Sequence, residues 1–160
     1  LGLAAEWVSA LPFGPLGDVV FEGAAAVGVN LTKVARIDGE LGTFTTLPEK
    51  RMVHYQRRHS VFALHDPTIF DWPTVLVEPG VDTWVHVTGI TPLISEACAE
   101  TWTRCVRSAV DAGLQVSLDF NHRPQLGTLA QLWEIVSPWV DKIHVIIFAA
   151  ASLRELGLLE

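Results

Sequence analysis

"SLDFNHRP", residues Ser117 to Pro124, ends an apolar alternation on an aspartate, an asparagine, a histidine and an arginine before a proline. A strand can close on one or two turn-forming residues. This end carries more donors and acceptors than a turn requires. The segments around it decide what sort of strand it is. Thr83 to Thr88, "TWVHVT", reads as a strand, and Thr91-Pro92 as an N-cap followed by proline at the first helical position. Ile94, Ala97, Cys98, Trp102, Cys105, Val106, Ala109 and Val110 then recur at steps of three and four, the spacing of one helix face, and Gly113 stops that helix. After "LQVSLDF" and its polar loop come "LAQLWEIVSPWV" as a helix, "KIHVIIFA" as a strand and "SLRELGL" as a short helix. Alternation of strand and helix specifies a parallel sheet covered by helices, with right-handed crossovers. Ligands of such sheets bind beyond the carboxyl ends of the strands, where "NHRP" lies.

The first half follows another pattern. Val34 to Asp38, Leu41 to Leu47 and Arg51 to Arg57 are short β-prone runs separated by the turn chemistry of "DGE" and "PEK". They are expected to form a small antiparallel sheet, a flap on the α/β body. Residues 64–82, rich in proline and aspartate, read as the connection. The expected organisation is residues 1–32 as the start of the α/β body, 33–63 as the β lid and 64–160 as the rest of the body.

Composition sets the outer limits. A chain of 160 residues with 49% hydrophobic and 18% charged residues, and mean hydropathy of +0.33, is long and apolar enough to bury a real core. A net charge of −7 argues against a general nucleic-acid binder, which needs a basic surface. No apolar run is long enough for a membrane span. Residues 1–16 lack the basic start of a signal peptide and carry Glu6 early. A chain that opens on Leu1 rather than Met is expected to begin further upstream or to have lost its start. Cys98 and Cys105 lie two helical turns apart, too far for a disulfide in a regular helix, and read as core thiols in a reducing compartment. A cytoplasmic location is expected, with an organelle address before Leu1 left open.

Two polar clusters can carry chemistry. "EKRMVHYQRRHS" gathers Lys50, Arg51, Arg57 and Arg58 with His54 and His59 in an otherwise acidic chain, which suits a carboxylate or phosphate ligand. The plainer reading is a strand edge guarded by charge. In the opening stretch, Asp119 can orient a neighbour, Asn121 can donate and accept, and Arg123 can clamp an oxyanion at two points. The plainer reading there is an Asx-turn with a surface arginine. His86 and His144, within apolar strands, read as core histidines. Phosphate-binding P-loop, dinucleotide-binding GxGxxG, HExxH and GxSxG motifs are all absent from the sequence.

Taken in order, these residues resemble the ribokinase-like, or PfkB, family of sugar kinases, most closely its 2-keto-3-deoxygluconate kinase branch. "SALPFGPLGD" (Ser9 to Asp18) is similar to the family's Gly-Asp segment after an alanine-leucine strand. "VHYQRRHS" resembles the flap motif in which a tyrosine, and an arginine two positions on, hold the substrate, here Tyr55 and Arg57. "HVTGIT" (His86 to Thr91) resembles a strand-end Ser-Gly-Ile in which Ile90 would face the sugar. "LDFNHRPQL" resembles D-x-N-x-R-x-x-L, which puts Asp119, Asn121 and Arg123 on the matched positions. The resemblance implies an α/β ribokinase-like fold, a parallel sheet flanked by helices with a small antiparallel β lid, here incomplete. It implies a kinase that uses ATP and Mg2+ to phosphorylate a hydroxyl of a sugar or sugar acid. Tyr55, Arg57, Ile90 and Arg123 would bind substrate, with Asp119, Asn121 and Asp18 in phosphate-binding or supporting roles, and the lid would pair two subunits as a homodimer.

The sequence also departs from the family. "VVFEGAAAVGVN" stands where a longer helix is usual, with Val19 and Glu22 at positions that usually hold an aspartate and a glycine. Ala150 and Ala151 replace an Asn-Glu pair associated with magnesium and phosphate. The G-A-G-D-like catalytic loop and the N-terminal substrate-binding glycines do not occur, so no catalytic residue is assigned. The chain is expected to be the middle of such an enzyme. The rival expectations are a non-catalytic, kinase-derived binding or dimerisation protein, and a flavodoxin-like or Rossmann-like domain with another ligand.

Overall fold

The structure is a computed structural model that describes residues 3–76 and 83–159. The chain divides into two compact units, Leu1–Ile69 and Phe70–Glu160. Part of the expected connection, residues 77–82, lies outside the described residues.

In the first unit, strand β1 (Ser9–Pro12) leads into helix α1 (Pro15–Ala26) and then strand β2 (Val34–Ile37). Gly14 adopts φ +94° at the corner, a region open to glycine, and Pro15 starts the helix with its φ already set. Gly17 is buried where α1 meets the strand end, and a methyl group there would collide with the Pro12 carbonyl oxygen. β2 pairs in parallel with β1, Ser9 opposite Val34 and Pro12 opposite Ile37. This corrects the expectation that Val34 to Asp38 opens the antiparallel flap. Burial decides the matter: Val34 completes a core with Leu11 and Leu31, against which Trp7, Val20, Phe21 and Leu41 pack. The segment expected to be shortened forms a helix of 12 residues.

The flap keeps two strands, β3 (Thr43–Leu47) and β4 (Met52–Gln56), paired antiparallel with Phe44 opposite Tyr55. A 3-10 turn at Pro48–Lys50 and a left-handed Arg51 (φ 49°) connect them. No residue of either strand is buried. The chain then returns to the unit at Ser60, which caps the short helix α2 (Val61–Leu64) by accepting from the Ala63 amide at 3.2 Å.

The second unit begins with the short helix α3 (Trp72–Val75). It then runs through strand β5 (Trp84–Thr88), helix α4 (Glu96–Asp111), strand β6 (Gln115–Asp119), helix α5 (Leu129–Val136), strand β7 (Val145–Ile147) and helix α6 (Ala150–Glu155). The sheet is parallel in the order β5, β6, β7. Two right-handed crossovers running in the same direction lay α4 and α5 on one face. Accordingly Val85, Val116 and Leu118 are buried, and α4 buries Cys98, Trp102, Cys105, Val106 and Ala109 at steps of three and four. The start of α4 differs from expectation. Thr91–Leu93 forms a separate 3-10 turn, and the helix is capped four residues later by Ser95, whose hydroxyl accepts from the Cys98 amide at 3.1 Å. Ser95 wins because its side chain satisfies an amide that Thr91 leaves free. Gly113 (φ +71°) ends α4 as expected. The helix read as "LAQLWEIVSPWV" passes into a 3-10 segment at Ser137–Lys142, where Pro138 follows.

Both cysteines are buried, and no disulfide joins them. Burial pushes the Cys98 thiol up, against an opposing hydrogen bond with Ser95, and pushes Cys105 up to about 12 from 9.0. An unfolded Cys105 releases its proton near 9.0, so above that pH the folded chain holds more protons than the unfolded one. The thiol's contribution is complete below pH 9.0 and is lost as pH rises toward about 12. Stability measured by denaturant titration is therefore expected to fall above pH 9.0 by more in the wild type than in Cys105→Ala. A disulfide reagent at pH 8 should label Cys105 only at the rate of unfolding. Rapid labelling of the native chain would contradict this.

Candidate functional site

The flap carries the first candidate pair. Tyr55 lies in β4 and Arg57 directly follows the strand's end at Gln56, two positions on. The Arg57 guanidinium sits 4.0 Å from the Tyr55 ring centre, and Tyr55 meets Phe44 across the strands at 6.1 Å. At 4.0 Å the guanidinium makes a cation–π contact with the ring, and a guanidinium fork suits a planar anion. The backbone is held as well, since the Arg57 carbonyl accepts from the Ser60 hydroxyl at 2.7 Å and from the Ser60 amide at 3.2 Å. The basic stretch seen in the sequence is split by the hairpin. Lys50 and Arg51 stand at its tip and Arg57 and Arg58 at its root, about 17 Å of strand away. They do not make one anion site.

Asp18, in the first turn of α1, takes part in another pair. Its carboxylate accepts from Arg36 Nη2 at 2.6 Å, and the same nitrogen donates to the Pro12 carbonyl at 2.9 Å. Phe13 and Phe21 flank the guanidinium at 5.5 and 5.4 Å. Arg36 escaped the sequence reading because it stands alone in the apolar run "VARI". The detectable signal was a charge in the middle of a run otherwise fit for a core strand.

In the second unit, Ile90, Asp119, Asn121 and Arg123 share the carboxyl end of one sheet. Thr88 lies opposite Asp119, and the Gly89 amide donates to the Asp119 carbonyl at 2.8 Å. Ile90 follows, its amide donating to Thr88 Oγ1 at 3.3 Å. Phe120 is fully buried against Phe148 at 4.6 Å and anchors the start of the loop. Asn121 turns the chain off the strand at φ +39°, a conformation asparagine tolerates better than most residues. His122 Nε2 lies 2.9 Å from the Gly127 carbonyl, closing the loop across its neck. Thr128 and Gln131 then form a capping box that starts α5. Arg123 stands exposed within the closed loop, with its carbonyl accepting from the Leu126 amide at 2.9 Å. The loop thus places Asn121 and Arg123 just beyond the strand-end Asp119, residue types able to meet an anionic or polyhydroxylated ligand.

ATP with Mg2+ places a different demand on the chain. Among the described residues no group of three His, Cys, Asp or Glu side chains could hold a metal ion. A magnesium ion carried on ATP phosphates asks for only one or two carboxylates, and no phosphoryl-transfer step is assigned to the residues present. No helix of the described residues is long and apolar enough to cross a membrane.

No family model matches the chain. It is 26% identical over 98% of its length to a 2-dehydro-3-deoxygalactonokinase of Haloferax volcanii, of which it covers 49%. Its structure is similar to that of 2-dehydro-3-deoxygluconokinase from Thermotoga maritima, with a TM-score of 0.86 and 28% identity over 99% of the chain and 49% of the relative. A PfkB family carbohydrate kinase from Listeria grayi superposes with a TM-score of 0.81 at 23% identity, over 100% of the chain and 56% of the relative. The chain spans about half the length of the relatives it matches.

Proposed function

From a chain that has the ribokinase-like fold and resembles the PfkB carbohydrate kinases over about half their length, we propose that it holds the substrate of a kinase acting on 2-keto-3-deoxygluconate or a related sugar acid. The first unit by itself offers Tyr55 and Arg57 to a substrate, and the second by itself offers Ile90 and Arg123. Asp119 and Asn121 orient the strand-end loop, and Asp18 supports the first unit through Arg36. The observation that carries the reading is the guanidinium of Arg57 4.0 Å from the Tyr55 ring centre, a planar fork of the kind that matches a carboxylate. A neutral sugar gives that arginine no matching charge. ATP and Mg2+ belong to the complete kinase reaction, in which a sugar hydroxyl accepts the phosphoryl group. The lid, exposed on both strands, is the surface through which two copies would pair.

The flap, with no residue of either strand buried, favours a second reading for this chain by itself, that of a non-catalytic, kinase-derived binding or dimerisation protein. Calorimetric titration with 2-keto-3-deoxygluconate, beside a coupled assay for ADP release, separates the two. Saturable binding of the sugar acid is expected, without turnover. A folded chain that binds no sugar acid would remove the substrate reading and leave dimerisation.

A further inference from the structure

β4 pairs with β3 as far as Gln56, so Arg57 stands one residue beyond the ladder. Its backbone is held by Ser60, a buried residue. The Ser60 hydroxyl donates to the Arg57 carbonyl at 2.7 Å, and the Ser60 amide donates to the same carbonyl at 3.2 Å. Ser60 Oγ also accepts from the Ala63 amide at 3.2 Å, the bond that caps α2, whose Val61 and Ala63 are buried. One serine thus ties an exposed ribbon to a buried helix. The other leg of the ribbon comes to the same place. The Val61 amide donates to the Glu40 carbonyl at 2.9 Å, and a methyl group on Gly42, the residue before β3, would stand 3.3 Å from Ser60 Cβ and 3.8 Å from Arg57 Cα. A guanidinium rides at the end of a long side chain, so a small backbone rotation at Arg57 becomes a large displacement over Tyr55.

We propose that Ser60 is the positioning residue of the flap site: its hydroxyl holds the Arg57 carbonyl, and through it the guanidinium against the Tyr55 ring. A serine that only capped α2 would need its oxygen as an acceptor. The proton given to Arg57 is the part that serves the site. Substitution separates the two roles. Ser60→Asp keeps an acceptor for the Ala63 amide, since aspartate is a good N-cap, but has no proton to give the Arg57 carbonyl. Ser60→Ala loses both. The effect on a sugar acid rests on the substrate reading above, whereas the effect on Tyr55 does not.

Tyr55 is the single tyrosine of the chain, so incorporating 3-fluorotyrosine gives one 19F resonance that reports the guanidinium beside the ring. Arg57→Ala marks where that resonance falls without the contact. Ser60→Ala and Ser60→Asp are both expected to move it from the wild-type position toward that mark. In calorimetric titration both should weaken 2-keto-3-deoxygluconate by about three- to tenfold, the loss of one hydrogen bond, while fructose binding changes little. Thermal melts should rank otherwise, with Ser60→Ala below Ser60→Asp, because only alanine loses the cap. The positioning role would be overturned if both Ser60 variants kept the wild-type resonance, if Arg57→Ala itself moved nothing, or if Ser60→Asp bound the sugar acid as tightly as a wild type that binds it. Wild-type protein that binds no sugar acid would end the substrate reading alone, with the fluorine resonance still deciding the role of Ser60.

Discussion

Gly89→Ala is expected to destabilise the second unit by about 3 kcal/mol, a fall in Tm of roughly 15 °C for a unit of this size. Gly89 is buried between the end of β5 and the loop after β6. A Cβ there would collide with the Phe120 carbonyl oxygen and come within 3.0 Å of Leu132 Cδ2. Neither obstacle can move cheaply, because the Phe120 amide is tied to the Ile147 carbonyl at 2.9 Å and Leu132 is fully buried. Relief requires the strand end to shift, which would misplace Ile90 and the Asp119 loop together. Gly23→Ala is the control of opposite sign. Gly23 lies exposed within α1 with nothing within 4 Å of its would-be Cβ, so the change should stabilise by about 0.5–1 kcal/mol. Thermal melts of both variants decide the matter. A Gly89→Ala protein as stable as the wild type would show that the close approach of β5 to Phe120 is wrong.

Arg57→Ala is expected to weaken binding of 2-keto-3-deoxygluconate by about 10- to 100-fold, the loss of a charge-assisted hydrogen bond of about 1.5–3 kcal/mol. Binding of a neutral sugar such as fructose should change little. Arg57→Lys keeps the charge but loses the fork and the guanidinium's contact with the Tyr55 ring, so it should recover only part of the loss. Tyr55→Phe keeps the aromatic platform and tests the hydroxyl alone. All four titrations can be done by calorimetry on folded protein. Equal losses for the sugar acid and fructose would end the carboxylate assignment.

The parts legible in the sequence were those fixed locally. The face of α4 could be read because Cys98, Trp102, Cys105, Val106 and Ala109 repeat at helical spacing and all pack inward. The strand-end position of Asp119 and the hairpin bearing Tyr55 followed from alternation and turn chemistry in the same way. β2 was misjudged because its partner, β1, lies 25 residues upstream, and "VARI" carries no sign of whether it pairs forward or back. Asp18 could be noticed but not its partner, since an ion pair between a helix and a strand depends on how the two dock. The basic cluster misled for a related reason: closeness in sequence became distance along a hairpin. Thr91 lost the cap of α4 to Ser95, as both carry a suitable hydroxyl and only the backbone path distinguishes them.

The flap is a ribbon of two strands that buries none of their residues, and such ribbons are marginal in water by themselves. Any opening of the ribbon takes its population from the paired form. Only the paired form presents Tyr55 and Arg57 as one platform. Apparent affinity is then the intrinsic affinity scaled by the fraction of chains in which the ribbon is closed. Substitutions at Phe44 or at the hairpin tip could thus change Kd without touching a ligand, by changing how often the receptor exists rather than how well it grips.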